Sequence, residues 1–320
     1  MRLFRPSWLL PTAFLQTIWG KKMRRQSPAH DRVERIPTPD GDHLTLARAG
    51  IPVPGSRHLL VLHGLEATIT AKYAHGLLAL ALARGWSADL LLFRSCDGEI
   101  NTARRLYHSG ETSDVDLVVR HLHATIPGVQ LVICGVSLGG NVLVKWLGES
   151  AHAGPSLVHR AAAVSVPFDL GAGAKFLERG LSRFYTRHFL STLIPKALRK
   201  LEQFPGAFDR DQALRARTFW EFDDAVTAPL HGFRDAADYY DRSSSMAFID
   251  HVRVPTLLFS ALDDPFVPPP VMALAEATAR RGSHVETEFT NSGGHVGWVE
   301  GALWPREYYM EKRVIEYLSL

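Results

Sequence analysis

Gly135-Val136-Ser137-Leu138-Gly139 sets one hydroxyl between two glycines. The apolar run Leu131 to Cys134 precedes it and Asn141 to Gly148 follows, a spacing that predicts a strand, a sharp turn and a helix. A serine on such a turn is held out toward a substrate, and bulky neighbours would crowd it; Gly135 and Gly139 carry no side chain. The chemistry on offer is nucleophilic attack. The plain alternative is a glycine-rich turn with an incidental serine. Average residue usage produces the pentapeptide in about one chain of this length in ten, so the reading needs a base, an acid and an oxyanion hole.

A serine hydroxyl is a poor nucleophile at neutral pH without a general base. Among fifteen histidines, His295 stands out, in Asn-Ser-Gly-Gly-His-Val-Gly-Trp at 291–298. It follows the last predicted strand on a glycine-rich loop, whereas most others fall in helices, strands or an insertion. The base needs a carboxylate to fix its tautomer and stabilise the imidazolium. Asp263-Asp264-Pro265-Phe266-Val267-Pro268 follows the predicted strand Pro255 to Ser260, whose C-terminal end shares an edge with Ser137. Asp264, directly before Pro265, suits the role better, which leaves Asp263 as a turn or supporting residue; the two remain alternatives. An oxyanion hole needs backbone N–H groups aimed at the developing charge. Leu138, next to the nucleophile, is one candidate donor. Leu65, in His63-Gly64-Leu65-Glu66, is the other, and His63 reads as a packed, hydrogen-bonded residue.

These residues require a scaffold. Strand and helix patterns alternate: His43 to Arg48, Leu59 to His63 and Ala88 to Phe93 as strands, Ala71 to Arg84 and Val115 to Thr125 as helices. After the serine turn come Ala161 to Val166 as a strand, Val271 to Arg281 as a helix, Val285 to Thr290 as a strand and Glu307 to Leu318 as a closing helix. That order predicts an α/β protein with a mostly parallel sheet, and wholly apolar strands predict helices on both faces. Residues 168–245 break the alternation, with aromatic, helical stretches and no convincing strand. They read as a helical lid inserted between core segments 1–167 and 246–320; an extra helical layer away from the site is the alternative. Trp8 to Trp19 reads as an N-terminal arm packed on the core, since Pro11 interrupts it and no small-residue cleavage site follows.

Composition narrows the classes. The 320 residues carry 36 Lys+Arg against 33 Asp+Glu, too even a balance for a nucleic-acid binder. Lys21, Lys22, Arg24 and Arg25 form a local basic cluster, read as solvated, with peripheral contact to an anionic membrane surface as the alternative. No apolar run reaches the ~18 residues of a membrane span. Cys96 and Cys134 make no disulfide framework or metal spacing, and suit a reducing cytoplasm. No metal or organic cofactor is indicated.

At this point the chain resembles the YheT-like branch of the α/β-hydrolase superfamily, which also includes eukaryotic ABHD-type lipases and yeast medium-chain acyl ester synthases. The resemblance spans nearly the whole chain. It rests on Leu15-Gln16-Thr17, Leu62-His63-Gly64-Leu65-Glu66, Tyr107-His108-Ser109-Gly110-Glu111-Thr112 and Gly135 to Asn141. Phe222-Asp223-Asp224, Thr227-Ala228-Pro229, Gly232-Phe233, Tyr239-Tyr240, Asp263 to Phe266 and Gly293 to Gly297 extend it. The order Ser, Asp, His is that of α/β-hydrolases. The resemblance implies the triad Ser137, Asp264 and His295, and hydrolysis of small-molecule esters with short- to medium-chain acyl groups. Acyl transfer to an alcohol, thioester cleavage and (phospho)lipase action share the acyl-enzyme and remain alternatives; a non-catalytic binding protein is the distant one. A serine nucleophile argues against epoxide hydrolase or dehalogenase chemistry, which use a carboxylate on this fold. Two departures from the family pattern stand out: Ala67 in place of glycine, and Arg94-Ser95-Cys96-Asp97-Gly98-Glu99-Ile100-Asn101 in place of Arg-Gly-Cys-Ser-Gly-Glu-Pro-Asn. Both are expected to reshape the rim of the pocket.

Overall fold

The computed structural model describes residues 4–301, 303–304 and 308–320. Its centre is an eight-stranded sheet of order β1-β2-β4-β3-β5-β6-β7-β8. The strands are β1 (Arg32–Pro37), β2 (His43–Ala49), β3 (Arg57–Leu62), β4 (Ser87–Leu92), β5 (Gln130–Val136), β6 (Arg160–Val164), β7 (Thr256–Ala261) and β8 (Val285–Thr290). β1 and β2 run antiparallel, and β3 to β8 are parallel. Alternate side chains of a strand face opposite sides, so an inner parallel strand, covered on both faces, is mainly apolar, whereas the edge strand β8 keeps Glu286 and Glu288. Leu60, Leu62, Leu131 and Ile133 pack against helices α3 (Ser113–Thr125) and α4 (Leu138–Glu149), counting α1 as Ala13–Ile18 and α2 as Lys72–Leu82. Leu59, Val61, Val132 and Cys134 face α2 and the closing helix Tyr309–Leu318.

The sequence reading misses β1. Arg-Val-Glu-Arg-Ile-Pro lies at the sheet edge with Ile36 as its one buried residue, and charged side chains are the usual protection of an edge strand. α4 begins at Leu138, directly after the serine, where the pattern predicts Asn141. Gly139 and Gly140 look like turn residues, yet they are helical because the helix start is pressed against β3 and β6. A Cβ on Gly139 would collide with the carbonyls of Leu62 and His63, and one on Gly140 would lie 2.9 Å from a methyl of Val166. The expected helix start at Glu307 lies outside the described residues.

Between β6 and β7 the chain forms helices, including Leu170–Leu177, Arg183–Gln203 and Ala236–Ser243, with no strand among the described residues. This segment has apolar clusters of its own, one around Leu190, Phe222 and Leu230, another around Leu170, Phe189, Phe219 and Tyr239. The N-terminal arm folds as α1 and a π-helical turn, Trp19–Met23. The solvated reading of the basic cluster needs correction at Arg24. Its side chain is fully buried, pairs with Glu311 of the closing helix and donates to Gly297 O at 3.1 Å. A buried carboxylate needs a counter-charge, and a partner 287 residues away leaves no local pattern. Lys21, Lys22 and Arg25 are exposed.

Candidate active site

Ser137 joins β5 to α4 with φ 55° and ψ −119°, a backbone region that a non-glycine residue enters at a cost. Its N–H donates to Val164 O at 2.8 Å and its carbonyl accepts from Asn141 at 3.0 Å, so the turn is held from both sides. A Cβ on Gly135 would overlap the carbonyl of Gly139, which is why the flanking positions are glycine.

Three side chains from distant segments meet here. Ser137 Oγ lies 2.9 Å from His295 Nε2. His295 Nδ1 lies 2.9 Å from Asp264 Oδ2 and 3.1 Å from Oδ1. With the proton on Nδ1, the imidazole donates to Asp264 and accepts from the serine, satisfying both contacts. Asp264 is buried and also accepts from Phe266 N–H at 2.8 Å. Phe266 stacks on the imidazole, with centroids 3.9 Å apart and planes 6° from parallel. Asp263 turns the other way and accepts from Gly294 N–H at 2.9 Å. Of the two adjacent carboxylates, Asp264 faces the imidazole of His295 and Asp263 ties down the loop that carries it. Burial raises the Asp263 pKa above the ordinary carboxylate value.

The segment after β3 is arranged by two tyrosines. Gly64 N–H donates to Tyr73 OH at 2.8 Å and Glu66 N–H to Tyr107 OH at 2.9 Å. Leu65 N–H, between them, has no acceptor among the described residues. Burial pushes both phenols above their usual pKa, so they remain neutral. Leu138 is the first residue of α4, where an N–H has no intrahelical acceptor. A Cβ on Gly64 would sit 3.1 Å from that of Ser137, so a side chain there would crowd the serine. His63 is fully buried; its Nε2 accepts from Phe93 N–H at 3.1 Å, its Nδ1 lies 2.7 Å from Gly64 O, and burial lowers its pKa to about 4. It is a neutral packing residue.

The histidine loop is held by the arm, a role the sequence reading missed although Gln16 and Thr17 carry part of the resemblance. Thr17 Oγ accepts from His295 N–H at 2.9 Å. Gln16 donates to Leu10 O at 3.0 Å and Val299 O at 3.1 Å, and accepts from Val299 N–H at 2.8 Å. Gly294, at φ +61°, abuts α1 so closely that a Cβ would lie 2.5 Å from Ala13 O. Ser165, at the end of β6, accepts from Val296 N–H at 3.2 Å.

The departures from the family pattern sort differently from expectation. Ala67 lines the cleft, but none of residues 95–101 does. Ser95 has φ 62°, a conformation suited to the glycine of the pattern. Its hydroxyl donates to Asn101 Oδ1 at 2.6 Å and accepts from Asn101 N–H at 3.0 Å, so hydrogen bonds offset the strain. The segment lies beside the buried ion network of Arg94 with Asp42 and Asp114.

Ser137 stands where the cleft forks. The wider arm, about 290 Å³, is lined by His295, Ile18, Lys21, Lys22, Tyr185 and Phe189 among others. The narrower, about 100 Å³, runs past Leu138 along Leu170, Ala174, Leu177 and Tyr239. A cavity of about 80 Å³ beyond it is lined by Leu106, Leu193 and Leu230. Asp223 borders both smaller spaces; it accepts from Thr227 Oγ at 2.5 Å and Tyr240 OH at 2.6 Å, and burial raises its pKa to about 6. Among the described residues no group of His, Cys, Asp and Glu side chains is placed to hold a metal, and no helix is long and apolar enough to cross a membrane.

The family model for the alpha/beta hydrolase fold matches residues 57–302. The chain therefore belongs to the α/β-hydrolase fold family. It is 38% identical over 309 residues to a protein of Escherichia coli (strain K12) named "Putative esterase YheT", covering 95% of this chain and 89% of that one. It is thus a member of the YheT-like branch. It is also 31% identical to "Phospholipase ABHD3" of Mus musculus, over 93% of this chain and 73% of the relative. Among solved structures, the Pyrococcus furiosus esterase Pf2001 superposes with a TM-score of 0.59 at 15% identity, over 92% of this chain and 96% of the other, a likeness of fold.

Proposed function

We propose that this protein cleaves carboxylic esters of short- to medium-chain acids through an acyl-enzyme on Ser137. Its class is that of a carboxylic ester hydrolase on the α/β-hydrolase fold. The observation that carries the finer reading is the continuous relay Ser137 Oγ–His295 Nε2, His295 Nδ1–Asp264, at 2.9 Å for each link.

In the proposed reaction Ser137 Oγ bonds to the ester carbonyl carbon while His295 Nε2 takes its proton. The carbonyl electron pair moves to oxygen, which the N–H groups of Leu65 and Leu138 receive. Collapse expels the alkoxide, which leaves with the proton from Nε2. Water then repeats the steps in reverse order of partners, releasing the acid and restoring the serine. Asp264 holds the imidazole in its Nδ1–H tautomer and stabilises the imidazolium.

The fork assigns sides. The leaving oxygen must lie near Nε2, so the alcohol occupies the wider arm, which His295 lines. The acyl chain then occupies the narrower arm, which lies past Leu138 and lacks His295. Its modest volume supports a short to medium chain. Residues 168–245 act in this reading as a lid between core segments 1–167 and 246–320, because they supply Tyr185 and Phe189 to one arm and Leu170 and Leu177 to the other. We place the protein in the cytoplasm, which accords with the unpaired Cys96 and Cys134.

A panel of p-nitrophenyl esters from acetate to palmitate tests the reading, with rates expected to peak at short to medium chains. An active-site phosphonate is expected to label Ser137. Absence of both turnover and labelling in folded protein would overturn it.

A further inference from the structure

We infer that the wider arm of the cleft takes an alcohol portion bearing an anionic group, a phosphate or carboxylate, with Lys21 and Lys22 as its charge partners. This rests on the proposed role of Ser137 and His295, and it deepens that reading by naming the substrate class.

Three lysines, Lys21, Lys22 and Lys72, border this arm. None has a carboxylate within ion-pair distance among the described residues, although Arg24, Arg48, Arg94 and Arg105 all do. The one acid on the same wall, Glu66, is already engaged by Lys196 at 2.5 Å and Tyr107 OH at 2.7 Å. The alcohol side is therefore lined by cations without counter-charge.

These cations are also placed, not merely nearby. Gly20 is pressed against the histidine loop, where a Cβ would lie 2.8 Å from Val296 O. Lys21 and Lys22 come next in the chain, on a turn whose start is tied by Trp19 Nε1 to Leu303 O at 2.9 Å and whose end is anchored by buried Arg24. Lys72 donates to Lys22 O at 3.0 Å. The Lys21 ammonium lies 4.7 Å from the centroid of Phe189, on the cleft wall. The Lys21 side chain is exposed overall, but desolvation of its ammonium against the cleft wall, then the neighbouring Lys22 charge, lowers its pKa, while Glu66 pulls it back up. An anion at this position would relieve both unfavourable effects. The apolar narrower arm offers no such cation.

The test uses the purified full chain and three esters of one acid: 1-butyryl-glycerol, 1-butyryl-glycerol 3-phosphate and 3-butyryl-glycerate. The expected result is a kcat/KM about tenfold higher for one or both anionic esters, expressed in KM and shrinking as NaCl rises, as for charges near a surface. The phosphate and carboxylate arms identify which anion fits. In Lys21→Gln/Lys22→Gln protein the ratio of anionic to neutral rates is expected to fall toward one. Equal rates on all three esters, or a preference that survives the double substitution, would overturn the inference. So would a preference seen only on phosphatidylglycerol vesicles and lost together with vesicle binding, which would assign the lysines to a membrane surface. If no ester is turned over, the nucleophile reading fails instead. Calorimetry of glycerol 3-phosphate with Ser137→Ala protein then tests the site alone, with loss of binding in the triple variant expected and unchanged binding overturning it.

Discussion

The serine and the histidine face each other at 2.9 Å, but the chain builds their supports in opposite ways. Ser137 is fixed mainly by its own strand–turn–helix unit: Gly135, Gly139 and Gly140 allow the close packing and Asn141 closes the turn, with Val164 of the neighbouring β6 as the contact from outside. His295 sits on a loop that is braced within itself, by Trp298 N–H to Gly293 O at 3.1 Å and Trp298 Nε1 to Thr290 Oγ at 2.9 Å, but not at the histidine. Its support comes from Thr17, 278 residues away, from Gln16 and Arg24 in the same arm, and from Ser165 and Asp263. A local motif can therefore place the proposed nucleophile, whereas the proposed base depends more on contacts from distant parts of the chain. Damage to α1 at Gln16 or Thr17 should therefore displace His295 while leaving the serine turn intact.

The comparison breaks first at the serine. Ser137→Ala removes the proposed nucleophile and little volume, so ester hydrolysis is expected to fall ~10³-fold or more with the fold retained. Near-wild-type turnover of purified, folded variant would end the assignment. The adjacent carboxylates give the next effect. Asp264→Asn takes the charge from the imidazole and is expected to cost roughly 10²–10⁴ in kcat. Asp263→Asn loosens one anchor of the loop, at Gly294 N–H, and is expected to cost about tenfold at most, as loss of one charge-assisted hydrogen bond. A reversed ranking at equal folding by circular dichroism would exchange their roles.

Thr17→Val sharpens the comparison from the other side. It keeps the shape but removes the acceptor of the His295 N–H, which is then buried without a partner. An unmade hydrogen bond of this kind costs ~1–3 kcal/mol. If the loop shifts to recover it, Nε2 leaves its position and kcat is expected to fall about tenfold with KM held. Thr17→Ser, which restores the acceptor, is expected to recover most of the rate. A loss of thermal stability with unchanged kcat would make Thr17 structural, with no positioning role.

How much was legible follows the same division. The inner parallel strands could be read because burial on two faces forces mainly apolar runs, and the edge strand β8, at Val285–Thr290 as expected, because Val, Thr and Phe alternate with its charges. β1 could not, because two charges separate Val33 from Ile36 and no alternation shows. The serine, the histidine and the preference for Asp264 were visible as Gly-rich and Pro-linked loops at strand ends. The choice of Asp264 over Asp263 needed side-chain directions, since both occupy the same turn. The burial of Arg24 was hidden because its counter-charge, Glu311, comes from the far end of the chain. The contact of Tyr107 with Glu66 N–H was hidden likewise: Tyr107 belongs to a motif of the resemblance, but nothing in the sequence joins it to a residue 41 positions away.

The insertion provides the smallest effect and a third term for the comparison. It supplies walls and no member of the proposed relay, so its changes should move selectivity and spare the chemistry. Phe184 and Tyr185 border the wider arm, and Leu170 and Leu177 the narrower. If the acyl chain occupies the narrower arm, Leu177→Ala lengthens the space available to it and is expected to move the optimum toward longer esters. A hydrophobic slot discriminates by ~1–3 kcal/mol per methylene at most, so the shift should be gradual, a few-fold between neighbouring chain lengths. Phe184→Ala, on the alcohol side and partly exposed already, is expected to leave the chain-length profile in place while changing the preference among alcohols. The ester panel reads both. Identical profiles in every folded variant would make residues 168–245 a structural layer, and a profile shifted by Phe184→Ala but not by Leu177→Ala would exchange the two arms.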